Sequence, residues 1–155
     1  MDSGLQEKRV WKDTSAVTHI NSYYTTVIGV VCGCLIKNSL PTIRFSGIVD
    51  LSKCSNQGGI EMKCIINGSN IIPIFNKFEH IRKVYSRIDC SWYGCALKQG
   101  INSIRVQVRD SSIGNRGYYC KALAIIQSGA TLEVIWPDIF LKYDAHKLEE
   151  GRGSR

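Results

Sequence analysis

From Ser103 to Arg109 the chain alternates apolar and polar residues without a break, a pattern that suits an extended strand and no helix. Successive strand side chains point to opposite faces, so Ile104, Val106 and Val108 line a core while Arg105, Gln107 and Arg109 share the other side. Two guanidinium groups are thereby placed on one face of one strand. Glycine and polar residues at 110–117 read as a turn, 118–126 is an apolar run, and Gln127-Ser128-Gly129-Ala130 introduces a further run at 131–136. The spacing predicts three consecutive strands in an antiparallel meander. Almost no reactive chemistry lies in them, which points to a scaffold or binding protein.

Upstream, residues 23–36 are β-branched, aromatic and apolar at nearly every position, as expected of a central strand covered on both faces. Gly29 and Gly33 fall on one face of it, where another element would approach closely. Residues 41–51 fit a strand with Ile43, Phe45, Val49 and Leu51 inward, but Phe45, Ile48 and Val49 also share one helical stripe, so strand is preferred over helix with both left open. Residues 60–66 alternate, with Ile60, Met62, Cys64 and Ile66 inward, Glu61 and Lys63 outward, and Asn67-Gly68-Ser69-Asn70 as a closing turn. The period then changes. Ile74, Phe75, Phe78, Ile81, Tyr85 and Ile88 recur at helical spacing after Pro73, which predicts an amphipathic helix over 74–88, with a strand over 84–90 competing for its end. A second short helix is expected over 139–148. The fold expectation is therefore α+β and β-rich: an antiparallel sheet or sandwich with one or two amphipathic helices packed on it. Residues 1–18 are expected to be a flexible arm with Val10 and Trp11 available to dock, 19–136 a single basic domain, and 137–155 a short helix and a disordered tail.

The net charge of +7 is distributed unevenly. Residues 1–13 hold three acids and three bases, 137–155 hold four of each, and 14–136 hold thirteen bases against six acids. A surface of the domain, and not a basic tail, is thus what would meet an anionic partner. Seven cysteines would suit a secreted disulfide framework, but the count is odd, the spacing is irregular, and the first residues carry no apolar signal segment. Reduced thiols in an intracellular setting are expected, and no apolar run approaches the ~20 residues of a membrane helix.

For metal binding, Cys32 and Cys34 stand one residue apart and Cys90 and Cys95 four apart, with Cys54, Cys64, Cys120 and the three histidines scattered. A zinc centre needs paired thiolates two to four residues apart that converge on one point, so buried thiols are the better reading and no metal is expected. Catalysis would need a nucleophile beside a base. Residues 89–95, with Cys90, Ser91 and Cys95, bring no elbow or phosphate loop, so no enzyme, cofactor or small-molecule substrate is expected. The strongest signal is basic. Lys77, Arg82, Lys83, Arg87, Lys98, Arg105 and Arg109 stand against Glu79 and Asp89, a set suited to nucleic acid or an anionic membrane surface.

The polar N-terminal segment, the long apolar strand at 23–36, the segment IEMKCIINGSN, the strand SIRVQVRD and the closing KALAIIQSGATLEVIW resemble, in order and pattern, the matrix proteins of rhabdoviruses, particularly the short plant-virus type. The resemblance carries no diagnostic motif and transfers no site residue. It lacks the proline-rich budding motif and lysine-rich arm of animal-virus members. It implies a non-enzymatic virion protein that self-associates, contacts a ribonucleoprotein and lies against the inner face of a membrane, with the 74–88 helix as the membrane element. The alternative is a nucleic-acid-carrying viral movement or nuclear shuttle protein, located in cytoplasm or nucleus. A lesser one is an immunoglobulin-like secreted binding domain, suggested by Gly117-Tyr118-Tyr119-Cys120, although Gly114 stands where that fold places an acid.

Overall fold

The computed structural model describes residues 8–12, 17–35, 39–52, 58–70, 74–78, 85–110 and 124–136. Eleven strands and no helix occur among them: β1 (Lys8–Lys12), β2 (Thr18–His19), β3 (Thr25–Cys34), β4 (Thr42–Asp50), β5 (Gly58–Ile66), β6 (Ser69–Asn70), β7 (Ile74–Phe78), β8 (Tyr85–Trp92), β9 (Gly100–Asp110), β10 (Ile125–Ile126) and β11 (Thr131–Ile135). They form two antiparallel sheets.

Several short strands share one track. β10 and β11 both pair with the same side of β4, since β8 occupies its other side from Ile43 to Asp50. The Gln127 N–H donates to the Ile48 carbonyl at 2.9 Å, so the ladder continues through the interruption, and Gly129 (φ 94°) supplies its left-handed residue. The predicted closing hairpin is therefore one interrupted strand running along β4. β1 and β2 lie end to end beside it, and β6 and β7 lie end to end along β5.

Counted as tracks, the first sheet runs (β1/β2), (β11/β10), β4, β8, and the second runs β3, β9, β5, (β6/β7). In chain order these are tracks 1-8-3-6 and 2-7-4-5, the double Greek-key order of an eight-stranded jelly roll. An immunoglobulin sandwich distributes its strands differently. The expected meander is likewise corrected: after β9 in the second sheet the chain reappears in the first.

The core lies between the sheets. From the first come Ile43, Phe45, Val49, Ile88, Cys90, Trp92, Leu132 and Val134; from the second Cys32, Met62, Cys64, Ile104, Val106 and Val108, all buried. The Cys90 thiol meets the Met62 sulfur at 3.6 Å. The inward alternation read for residues 41–51, 60–66 and 103–109 is present as predicted. Gly47 also faces inward, and a Cβ there would stand 3.0 Å from the Phe45 ring, so its lack of a side chain makes room for that ring.

The amphipathic helix over 74–88 does not form. Ile74–Phe78 is a strand paired with residues 58–62, and Tyr85–Trp92 is a strand paired with β4. In β8 period 2 prevails: Ile88, Cys90 and Trp92 are buried while Tyr85 and Arg87 are exposed, although Tyr85 and Ile88 share a helical stripe in sequence. Ladder pairing with distant strands overrides the local pattern. The α+β expectation thus gives way to an all-β sandwich among the described residues; the helix expected over 139–148 lies outside them.

Two further expectations change. Lys8–Lys12 of the supposed arm, and Thr18–His19 where it ends, are strands of the first sheet, with Trp11 packed against the core. β3 is not central but an edge strand, paired with β9 alone among the described strands. A bulge at Thr26/Ile28 buries two consecutive residues, Val27 and Ile28, and beyond it one face is buried and the other open. Finally, the turn after β5 is tighter than expected. Asn67 (φ 51°) and Gly68 (φ 83°) make a two-residue hairpin loop of the Asn-Gly kind, returning at once into β6.

Candidate functional site

The register of the second sheet assembles its outer face in rows. Arg109 stands opposite Glu61, Gln107 opposite Lys63 on β5 and Thr26 on β3, and Arg105 opposite Ile65 and Gly29. In the first row the Arg109 Nε donates to the Glu61 carboxylate at 2.5 Å, and Glu61 is buried (3% exposed). Tyr24, just before β3, completes that row. The Arg109 guanidinium lies 4.7 Å from its ring centroid and the Lys63 ammonium 4.0 Å, both as cation–π contacts. Burial, then the hydrogen-bonded Glu61 carboxylate, pushes the Tyr24 phenol up to about 12, with Arg109 opposing. Gln107 Nε2 donates to the Thr26 hydroxyl at 3.1 Å.

The outcome is a positive surface in which contacts with Tyr24 and Glu61 hold Lys63 and Arg109. Glu61 neutralises Arg109 at close range, but Lys63 and Arg105 have no ion-pair partner among the described residues, and Arg105 is exposed. Glu61, expected to face solvent, is instead roofed by Arg109 and Tyr24. Lys63 and Tyr24 were not singled out by the sequence, because only the β5–β9 and β3–β9 registers bring them to Arg109.

The seven bases expected to form one contact surface are divided. Arg105 and Arg109 share the outer face of the second sheet. Lys77 lies on β7 of that sheet, opposite Gly59 in register. Lys98 is exposed just ahead of β9, its N–H donating to the buried Asn102 amide oxygen at 2.9 Å. Arg87 faces outward from β8 on the other sheet, where its Nε lies 3.4 Å from Asp89. Arg82 and Lys83 lie outside the described residues.

The thiols are arranged for packing. Cys32, Cys64 and Cys95 are free thiols, and these three together with Cys34 and Cys90 are buried. Burial raises the Cys32, Cys64 and Cys95 thiols above their ordinary range, with Arg9 opposing at Cys32 and the Cys95 thiol adding to the rise at Cys64. Such thiols stay protonated at neutral pH and are poor nucleophiles and ligands. Among the described residues no group of three or more His, Cys, Asp and Glu side chains is placed to hold a metal ion. Cys54 and Cys120 lie outside them.

No protein-family model and no curated protein matches this chain. Among solved structures it is similar to the infectious bursal disease virus Gx strain, at TM-score 0.50 and 11% identity over 89% of this chain and 37% of that one. It is also similar to VP2 of the infectious bursal disease virus subviral particle, at TM-score 0.50 and 14% identity over 83% and 33%. A CBM36-1 domain of a multidomain xylanase from the hindgut metagenome of Trinervitermes trinervoides overlaps at TM-score 0.45 and 9% identity, over 81% and 95%. The chain spans about a third of the two virus chains. The likeness to them is one of fold.

Proposed function

We propose that this chain is a non-enzymatic structural protein of a virus particle that self-associates and bridges a ribonucleoprotein to the inner face of a membrane. The observation that carries the structural part is the jelly-roll order, superposed over most of the chain on proteins of a virus particle. The bridging part rests on the pattern resemblance to matrix proteins and on the cationic strip of the second sheet. Lys63 and Arg109, held by their contacts with Tyr24, and the exposed Arg105 project from neighbouring strands, so phosphates of RNA or of lipid headgroups would meet a cationic strip. Since no helix forms over 74–78 or 85–92, the sheet face takes the membrane role first assigned to a helix.

The second reading, a nucleic-acid carrier, is favoured by the same strip, because Arg105 and Arg109, four residues apart on one strand, lie ~13 Å apart and track an extended backbone. Co-sedimentation with single-stranded RNA and with phosphatidylserine vesicles separates the two. Pelleting with both, weakened between ~50 and ~200 mM salt, is expected of the bridging protein. RNA without vesicles selects the carrier, and neither ligand would overturn both.

A further inference from the structure

Four tracks end a sheet among the described strands, and three of them contain charged residues. β1 and β2 hold Lys8, Arg9 and Lys12; β8 holds Arg87 and Asp89; β7 holds Lys77. β3 is different. Its ten residues, TTVIGVVCGC, contain no charge and no proline. Sheet edges are normally blunted by charged side chains, proline, brevity or bulges, because an open row of backbone donors and acceptors is a template for another strand. β3 has a single bulge, at Thr26/Ile28, and Gly29 to Cys34 continues regularly beyond it.

Apolar surface collects there as well. Val31 is 66% exposed, Leu35 65%, and Ile101, opposite Gly33, 65%. At Gly33 a Cβ would meet nothing within 4 Å, so the outer face of the strand is open there. One polar guard is present: Arg9 of β1 donates to the Gly33 carbonyl at 3.3 Å and to the Cys32 sulfur at 3.8 Å.

We propose that β3 pairs antiparallel with β3 of a second copy of this chain, about a two-fold axis at Val31, joining the two second sheets into one. A second copy fits better than a charged partner because β3 itself contains no charged residue and matches itself. With Val31 opposite its own copy, Gly29 faces Gly33 on each side, so small residues flank the central valine pair and no bulky side chains collide. The even register also keeps both outer faces on the same side, which an odd one would not. The Gly33 carbonyl then passes from Arg9 to a backbone donor. A two-fold interface uses the same patch twice, as this edge does. The inference deepens the self-associating reading by naming its contact.

Sedimentation velocity of the full chain, from micromolar to near-millimolar concentration, tests it. The wild type is expected to form dimers. Val31→Lys, which sets two ammonium groups opposite each other, should weaken the dimer at least tenfold, and Val31→Asn should weaken it less, in the same direction. Tyr93→Lys, at an exposed site off this edge, should leave it unchanged. Circular dichroism confirms that each variant is folded. Association that persists unchanged in both Val31 variants overturns the β3 interface while leaving self-association standing. A wild type that stays monomeric throughout overturns both.

Discussion

The outer faces of the two sheets use charge in opposite ways. On the first sheet Lys8, Glu133, Arg44, Asp89 and Arg87 form a lattice across four tracks, with contacts of 3.4 to 3.9 Å, and Ser46 donates to Asp89. Lys8, Arg44 and Arg87 each have an acid within reach, in partly exposed pairs that contribute little, whereas Lys12 on the same face has no ion pair among the described residues. On the second sheet one acid, Glu61, is buried beneath one arginine, while Lys63 and Arg105 have no ion-pair partner among the described residues and β3 itself contains no charged residue. One face pairs most of its charge with itself; the other leaves cations unpaired among the described residues. Net charge alone would not distinguish them.

That contrast can be broken at several points. The largest effect is expected for Arg109→Met, which strands the Glu61 carboxylate in a buried site; denaturant unfolding should show a loss of about 3 kcal/mol. Replacing Lys63 and Arg105 together by Gln should lower RNA affinity by roughly tenfold or more and flatten its salt dependence by about two ions. The pair Arg44→Gln and Arg87→Gln on the first sheet should change neither, and equal losses from both pairs would erase the distinction between the faces.

A smaller effect comes from pH. The Tyr24 phenol is held up near 12 in the folded chain, above its ordinary 10.0, so folding retains a proton that the unfolded chain releases. Its contribution to stability is complete below pH 10 and is lost as pH rises from 10 to 12. Ultraviolet titration should therefore show a late tyrosinate step, absent in Tyr24→Phe, and the variant's stability should fall less steeply over that window. The smallest effect belongs to Arg44→Met, expected to shift stability by about 0.5 kcal/mol or less despite its two ion pairs.

How much of this was legible in the sequence follows from the reach of each signal. Alternation in β4, β5 and β9 is local, and it placed Phe45, Met62 and Val106 inward as well as Arg105 and Arg109 outward. Whether β3 lies at the centre or the edge is not local, since its uniformly apolar residues suit both positions. Residues 74–88 misled because apolar positions in two strands and their connection happened to fall at helical intervals. Glu61 looked like a solvent-facing acid until the β5–β9 register set Arg109 over it. The Asn102 amide is of the same kind. It is buried, accepts from the Lys98 N–H and the Asn67 amide, and donates to the Lys98 carbonyl, so it organises a turn that its own sequence neighbourhood does not announce.

The most direct test of the account is amide hydrogen exchange measured at low and high protein concentration. Protection is predicted to rise with concentration across Gly29 to Cys34 of β3 and to stay constant along β8. A rise confined to β8, or no change in β3 under conditions where the chain associates, would contradict it.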